Sequence, residues 1–481
     1  MSPASAAMIA SAYLKDLISA GHLPSDKSYL ACDPSKLVRA RKRAMSEARE
    51  ESSDKQTKVV GIGYDGRRDK HTLAMVPDKA TGKSKMRMVV EEHESVTEEP
   101  CGHYLGHFTP KPPSGKEKPA LKVAQGVVEL LQKHDSTESL MVLAGDSTNS
   151  NTGWKGGTHK WVEELLGRRL FWAICNLHTN ELNLRHLIAV LDGPTSSKDG
   201  FTGPVGSLLP KVEQMPYNPE FEALPGGEDL PTLSETVVKE MSTDQKSCFK
   251  LVQALKAGHL PPEMQDMKCG PLCHARSVLI VYLSFYEFVQ RWLTCAQRLG
   301  FMWTRVHGLK GEPLKILRTL VKFCITMYFK LFFDIKHRHL LVDAPHHILT
   351  SLRILKTQPK MVQDVITFYI RKNAWYAHPE CLLLSLLSSL DPEDRQFAVG
   401  QILTVRAGQE YGDNSVRPRI TPKLNLSATT LTTLISWNPK EVQEPSFTCG
   451  RSTAEIKSYL ESPFVPPKFS CHTQSTERYS A

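Results

Sequence analysis

The chain has 481 residues, 41% of them hydrophobic, with 60 Lys and Arg against 51 Asp and Glu for a net charge of +9. That length exceeds one ordinary core and predicts two or three units of domain size. No run approaches the roughly 18 uninterrupted apolar residues of a membrane span. The N-terminal stretch lacks the basic-then-apolar pattern of a secretory signal, so a soluble, intracellular protein with no membrane partner is expected. The 11 cysteines are scattered and odd in number, which argues against a disulfide framework and for a reducing compartment. The charge balance permits polyanion binding without requiring it.

Residues 1–57 read as helix-like and polar, with Lys36, Arg39, Arg41, Lys42 and Arg43 gathered in SKLVRARKRAMSEAREES. Such a cluster suits nuclear import or phosphate contact, and equally a solvated helix face. From residue 58 the pattern changes to short β-type runs. KVVGIGYD (58–65), HTLAMVP (71–77, after a polar turn) and KMRMVVEEHESV (85–96) predict three strands, spaced closely enough for an antiparallel meander. HYLGHFTP is expected to extend or cover that sheet. KPALKVAQGVVELLQKH (118–134) has helical spacing, SLMVLAGD (139–146) is an apolar strand ending in an acid, HKWVEELLG is helix-like, and RLFWAIC (169–175) is a further strand. The order β-β-β-α-β-α-β, with acids ending the first and fourth strands, is the ribonuclease-H-like arrangement, in which those two strands lie side by side.

After Asp192 come Gly- and Pro-rich loops (193–232) and then long apolar helical stretches from about 233 to 370. The predicted organisation is therefore a helical basic region (1–57), the first part of an α/β ribonuclease-H-like core (58–192), a mainly α-helical insertion (193–372), helices completing the core (373–407) and an irregular tail (408–481).

Phosphodiester chemistry asks little covalent help of a protein, because two divalent ions can activate the attacking oxygen and stabilise the leaving one. Hard Mg²⁺ or Mn²⁺ takes oxygen ligands, so clustered carboxylates are the residues to seek. Asp65 and Asp146 fit by position. An acid after an apolar strand is common in sheet proteins, and the pair in this element order carries the reading.

The blocks GDSTNSNTGWKGG, WAICNLHTNELNLRHL and QRWLTCAQR resemble hAT-like DNA transposases and a related animal family of transposon-derived proteins. Cys175 and His178 match that family's Cys-x-x-H, Asn183 and Leu184 its Asn-Leu, and Arg291, Trp292 and Thr294 its Arg-Trp region. The resemblance spans roughly residues 58–406 and implies a metal-dependent transposase with a two-ion site of Mg²⁺ or Mn²⁺. It further implies water attack at a transposon end followed by strand transfer from a 3′ hydroxyl, double-stranded DNA as partner, a homo-oligomer and a nuclear location. Two features depart from the family: neither an N-terminal zinc finger nor the C-terminal dimerisation segment is evident.

The third carboxylate is expected to be Glu380, because Pro379 can occupy a first helical turn and the acid then stands at the start of an apolar helix returning to the sheet. The alternative is a glutamate that merely complements the helix dipole, with Glu393 next in line. Arg67, Arg68 and Lys70 follow the first acid and are candidates for DNA backbone contact, or for a solvated turn, with Asp69 beside them. Trp292, next to Arg291, suits stacking on an unpaired base, a contact of about 1–3 kcal/mol. Thr148 and Asn149, in the hydroxyl- and amide-rich turn after Asp146, are expected to support the site, by capping or phosphate contact. His178 is expected to brace the site floor and Cys175 to pack as a small buried residue. Zinc at Cys175 and His178, or at Cys269, Cys273 and His274, lacks a second ligand pair at finger-like spacing. The rival to catalysis is a domesticated, catalytically silent protein that binds DNA or protein.

Overall fold

The computed structural model describes residues 3–30, 33, 35, 36, 38–40, 43, 58–77, 84–100, 102–153, 155–196, 200–269, 284–306, 308–337, 340–373, 379–407, 422–437 and 451–465. The chain divides into two compact units, Met1–Lys58 and Val59–Ala481. In the first, helix α1 (Pro3–Ser19) precedes a 3-10 segment, Ser25–Leu30. Lys36, Arg39 and Arg43 of the basic cluster are exposed, while Arg41 and Lys42 lie outside the described residues.

The second unit is mixed α/β. A five-stranded sheet runs in the order β3-β2-β1-β4-β5, from β1 (Gly61–Pro77), β2 (Ser84–Glu99), β3 (Tyr104–Phe108), β4 (Val142–Gly145) and β5 (Phe171–Ile174). The first three strands form an antiparallel meander, and β4 and β5 run parallel to β1. Two helices, α2 (Pro119–Lys133) and α3 (Thr158–Leu166), cover one face. The apolar stripe of α2, Val123, Ala124, Val127 and Leu131, follows the helical period and packs with Val162 of α3 on Ile62, Tyr64, Val96 and Leu143. Burial of Val127 and Leu131 contributes about 1.5–3 kcal/mol each. Pro119 opens α2, where its missing N–H is harmless, and Gly167 closes α3 with a left-handed φ of 67°.

On the other face Val142 and Ala144 join a larger core made with helix α4 (Asn176–Leu191) and the helical segment after it. That segment contains α5 (Thr243–Ala257), α6 (Ser284–Trp303), α7 (Glu312–Phe323), α8 (Phe329–His337), α9 (Ala344–Lys356) and α10 (Lys360–Asn373). A π-helical turn, Cys324–Tyr328, links α7 to α8. Helix α11 (Pro379–Leu387) then packs against β5, and α12 (Pro392–Ala407) follows. Among the described residues no helix is long and apolar enough to cross a membrane.

Two expectations change. The runs 58–65 and 71–77 are not separate strands joined by a turn: β1 is continuous, paired with β2 from Gly61↔Glu99 to Pro77↔Ser84, with an irregularity between Asp69 and Thr72. The polar stretch between the runs is in register with an equally polar one, Arg67↔His93, Arg68↔Glu92 and Asp69↔Glu91. Ladder hydrogen bonds need no apolar side chain, so a polar segment facing a polar partner pairs as well as an apolar one. Arg67, Arg68 and Lys70 therefore lie on a strand. The tail, expected to be irregular, is in part built into the core. Lys423–Leu424 pairs with Ile435–Ser436, and a capped helix, α13 (Thr453–Ser458), buries Ile456. Arg395 donates to the carbonyls of Tyr459 and Leu460, and the Phe464 amide donates to the Leu387 carbonyl at 2.9 Å. Segments of one or two turns carry too few residues to show a period, which is why the sequence reads as irregular there.

Candidate active site

The parallel register Gly61↔Val142, Ile62↔Leu143, Gly63↔Ala144 places Asp65 and Asp146 at corresponding positions, each two residues beyond the last pair. Neighbouring strands are about 4.8 Å apart, so two acids at matched positions share one end of the sheet. Side chains alternate, and Ile62 and Leu143 face α2. Asp65 and Asp146, an odd number of residues further on, fall on the opposite side, toward α4.

Asp146 is held firmly. The Thr148 amide donates to Oδ1 at 3.0 Å, the Thr148 hydroxyl at 2.6 Å and Asn151 Nδ2 at 2.7 Å. All three bonds land on one oxygen, which restrains the carboxylate. Thr148 thus bonds the acid directly, and its side chain makes no cap bond to the helical turn that it opens. Asn149 is exposed at the start of the helical turn Asn149–Thr152, and the amide that reaches Asp146 belongs to Asn151, which faces it one half-turn later.

Behind this pair lies a buried layer. Tyr64, 2% exposed, sets its ring edge-on to His159 at 5.5 Å, and His159 meets Trp172 at 5.0 Å. Gly145 suits this close approach, since a Cβ would stand 3.0 Å from His159 Nε2. Burial, and then the charges of Glu94 and Asp146, hold the Tyr64 phenol well above its ordinary range.

Two further carboxylates, unforeseen from the sequence, belong to this region. Glu94 on β2 is 8% exposed and folds over Gly66, where a Cβ would come within 2.3 Å of Oε1. Burial first, then the charges of Asp65, Glu92 and Asp146, push its carboxyl up to about 8. Glu181 on α4 is 1% exposed, and neither of its oxygens accepts a hydrogen bond. Burial, then Asp146, raises its carboxyl well above the ordinary range, with Lys336 pulling the other way. No local pattern marks Glu181, because α4 is buried nearly all round and offers no polar face to read, and Glu94 sits in a polar run, Glu91, Glu92, His93 and Glu94, from which nothing singles it out.

Helix α4 starts where the sheet ends. Cys175, buried, donates its amide to the Gly145 carbonyl at 2.9 Å and carries β5 into the helix. His178, 3% exposed, sits one turn on, its Nδ1 3.9 Å from Glu181 Oε2. Burial keeps the imidazole below its ordinary range against the pull of Asp146, so it stays neutral near pH 7.

Arg291 and Trp292 lie on α6, a helix that packs against β1 and α4. Thr294 on the same helix is buried. The side chains of Arg291, Trp292, Arg67, Arg68 and Lys70 are outside the described residues, as is that of Glu380 at the second position of α11. Glu393, at the start of α12, is exposed, and its amide donates to Asp391 Oδ1 at 2.9 Å. Cys273 and His274 also lie outside the described residues, and burial pushes the Cys269 thiol up to about 12. Among the described residues no three Cys, His, Asp or Glu side chains already stand at ligating separation.

Glu94 yields a pH test. Its folded pKa, about 8, exceeds the ordinary 4.5, so the folded chain retains a proton that the unfolded chain has lost. Its contribution to stability is therefore complete at acid pH and falls as pH rises from about 4.5 to about 8. Glu94→Gln is expected to be nearly neutral at about pH 5 and to stabilise the chelator-treated protein by about 1–3 kcal/mol at about pH 9. Denaturant melts at the two pH values check this, and an identical difference at both would contradict it.

Fold and site together define a mixed α/β protein with carboxylates gathered at the end of its central parallel strands. No protein-family model, curated protein or solved structure matches the chain.

Proposed function

We propose that the chain has a ribonuclease-H-like core of the hAT-transposase kind, which hydrolyses a DNA phosphodiester at a transposon end and then transfers the strand. The observation that carries this reading is the matched placement of Asp65 and Asp146, each two residues beyond the last pair of the adjacent parallel strands β1 and β4, with Asp146 fixed through a single oxygen. The donor set fits a hard divalent ion: carboxylate oxygens predominate, and Glu181 is a buried carboxylate with no hydrogen-bond donor of its own.

Asp65, Asp146 and Glu380 would hold two ions of Mg²⁺ or Mn²⁺, which supply a lowered pKa for the attacking water and charge neutralisation at phosphorus. Thr148 and Asn151 keep the Asp146 carboxylate from rotating. Neutral His178 stands beside it without adding a competing positive charge. The buried layer of Tyr64, His159 and Trp172 excludes water from behind the strands. Arg67, Arg68 and Lys70 on β1 and Arg291 and Trp292 on α6 are proposed to meet DNA, the first three through backbone phosphates and Trp292 by stacking. The water oxygen bonds phosphorus as the P–O3′ bond breaks, and the leaving 3′ oxygen takes a proton. The oxygen of that 3′ hydroxyl then bonds the phosphorus of a second phosphodiester as it loses its proton, the P–O3′ bond of that diester breaks, and the leaving 3′ oxygen takes a proton. Double-stranded DNA as partner, a nuclear location and a homo-oligomer follow from the same reading.

The test is cleavage of duplex DNA ends by the full chain with Mg²⁺ or Mn²⁺, alongside Glu380→Gln. The variant keeps shape and hydrogen bonding but loses charge, so cleavage is expected to fall by about 10²- to 10³-fold while DNA binding survives. Glu393→Gln, at an exposed position, is expected to cleave as wild type. The reverse result would move the assignment to Glu393. DNA binding without cleavage by the unaltered chain would favour the catalytically silent reading.

A further inference from the structure

We infer that Glu181 is a fourth carboxylate ligand of the divalent-ion site, reaching it from α4 on the side opposite β1. The inference rests on the metal-dependent reading of Asp65 and Asp146. Its own foundation is a separate one: a side chain 1% exposed, both of whose oxygens are without a hydrogen bond, seated on the helix that begins beside Asp146.

The chain path brings it there. β4 and β5 pair up to Gly145↔Ile174, so Cys175 stands level with Asp146, and its amide is bonded to Gly145. Residues three apart share a helix face, so His178 and Glu181 line one side of α4 above this point. Around them the interior is unusually polar and incompletely bonded. Neither polar atom of the Asn176 side chain has a hydrogen-bond partner, nor does Asn180 Oδ1. Asn180 Nδ2 donates to the carbonyl of Tyr328 at 3.0 Å, where the π-helical turn Cys324–Tyr328 presses against α4. Such turns recur at functional sites.

A buried carboxylate that accepts no hydrogen bond costs several kcal/mol once ionised, so a position like this persists for a reason other than stability. A divalent cation supplies what the protein does not. Charge points the same way: Asp65, Asp146 and Glu380 carry three negative charges against the four positive charges of two divalent ions, and Glu181 makes the count equal. Because no three described side chains already stand at ligating separation, binding must draw them together, which makes it visible in stability.

The experiment uses the full chain stripped with chelator, and reads Mn²⁺ affinity by calorimetry and the Tm gained on adding Mn²⁺. Glu181→Gln, which keeps the shape and removes the charge, is expected to fold in chelator, to bind Mn²⁺ at least about 10-fold more weakly and to lose most of the Tm gain. Asp146→Asn is the reference for the site itself. If Asp146→Asn weakens Mn²⁺ binding and Glu181→Gln binds as wild type, the inference is overturned and the active-site reading stands. If Asp146→Asn also binds as wild type, the active-site reading falls first. Should Glu181→Gln not fold, Glu181→Asp keeps the charge and shortens the reach: several-fold weaker Mn²⁺ binding supports the inference, and unchanged binding overturns it.

Discussion

Under the metal-dependent cleavage proposed above, Asp146→Asn is expected to lower Mg²⁺-dependent DNA cleavage by about 10³-fold or more while leaving the fold intact. The asymmetry follows from the carboxylate's bonds. Oδ1 accepts from the Thr148 amide, the Thr148 hydroxyl and Asn151 Nδ2, and an asparagine carbonyl can accept the same three. The loop after β4 therefore keeps its anchor. The amide nitrogen takes the place of Oδ2, and a neutral donor cannot ligate a cation. Cleavage rates under single turnover, together with a denaturant melt, separate the two effects. Loss of cleavage matched by loss of folding would make Asp146 a structural residue, and near-normal cleavage by the folded variant would remove it from catalysis.

Glu163→Ala is expected to destabilise the second unit by about 3–5 kcal/mol, the largest effect on stability foreseen here. Glu163, on α3, is 1% exposed. Its Oε1 accepts from the Leu170 amide at 2.8 Å and from Trp172 Nε1 at 3.2 Å, and Oε2 lies 3.7 Å from Arg169 Nη1. One side chain thus ties α3 to the entry of β5. Removing it takes away two buried hydrogen bonds, from the Leu170 amide and the Trp172 indole N–H, each worth about 1–3 kcal/mol, together with the charge facing Arg169. Glu163→Gln, which still accepts through its carbonyl, is expected to lose only about half as much. Equilibrium unfolding in urea decides it: a loss below about 1 kcal/mol for the alanine variant would mean that β5 is held by packing alone.

How much of this was legible in the sequence depends on the kind of residue. Apolar periodicity announced α2 through Val123, Val127 and Leu131, and short apolar runs announced β4 and β5, because those segments bury one face or both against neighbours of fixed spacing. Acids directly after Tyr64 and Gly145 were visible for the same reason, as the first charges beyond apolar strands. The long helical stretch after residue 233 and the helix opened by Pro379 were also readable from period and proline position.

The register that brings Asp65 level with Asp146 was not readable, since strand pairing is a long-range choice settled by the crossover through α2. Nor was the continuity of β1, where backbone hydrogen bonds to β2 outweigh the turn-like composition of Asp65–His71. Which amide of the turn reaches Asp146 depended on a single helical turn, and it selected Asn151 over Asn149. Glu94 and Glu181 were hidden most deeply. Sequence alone established which segments are apolar enough to be buried. Only the tertiary structure decided which polar groups are carried inside with them, because that burial is imposed by neighbours distant along the chain and leaves no local trace.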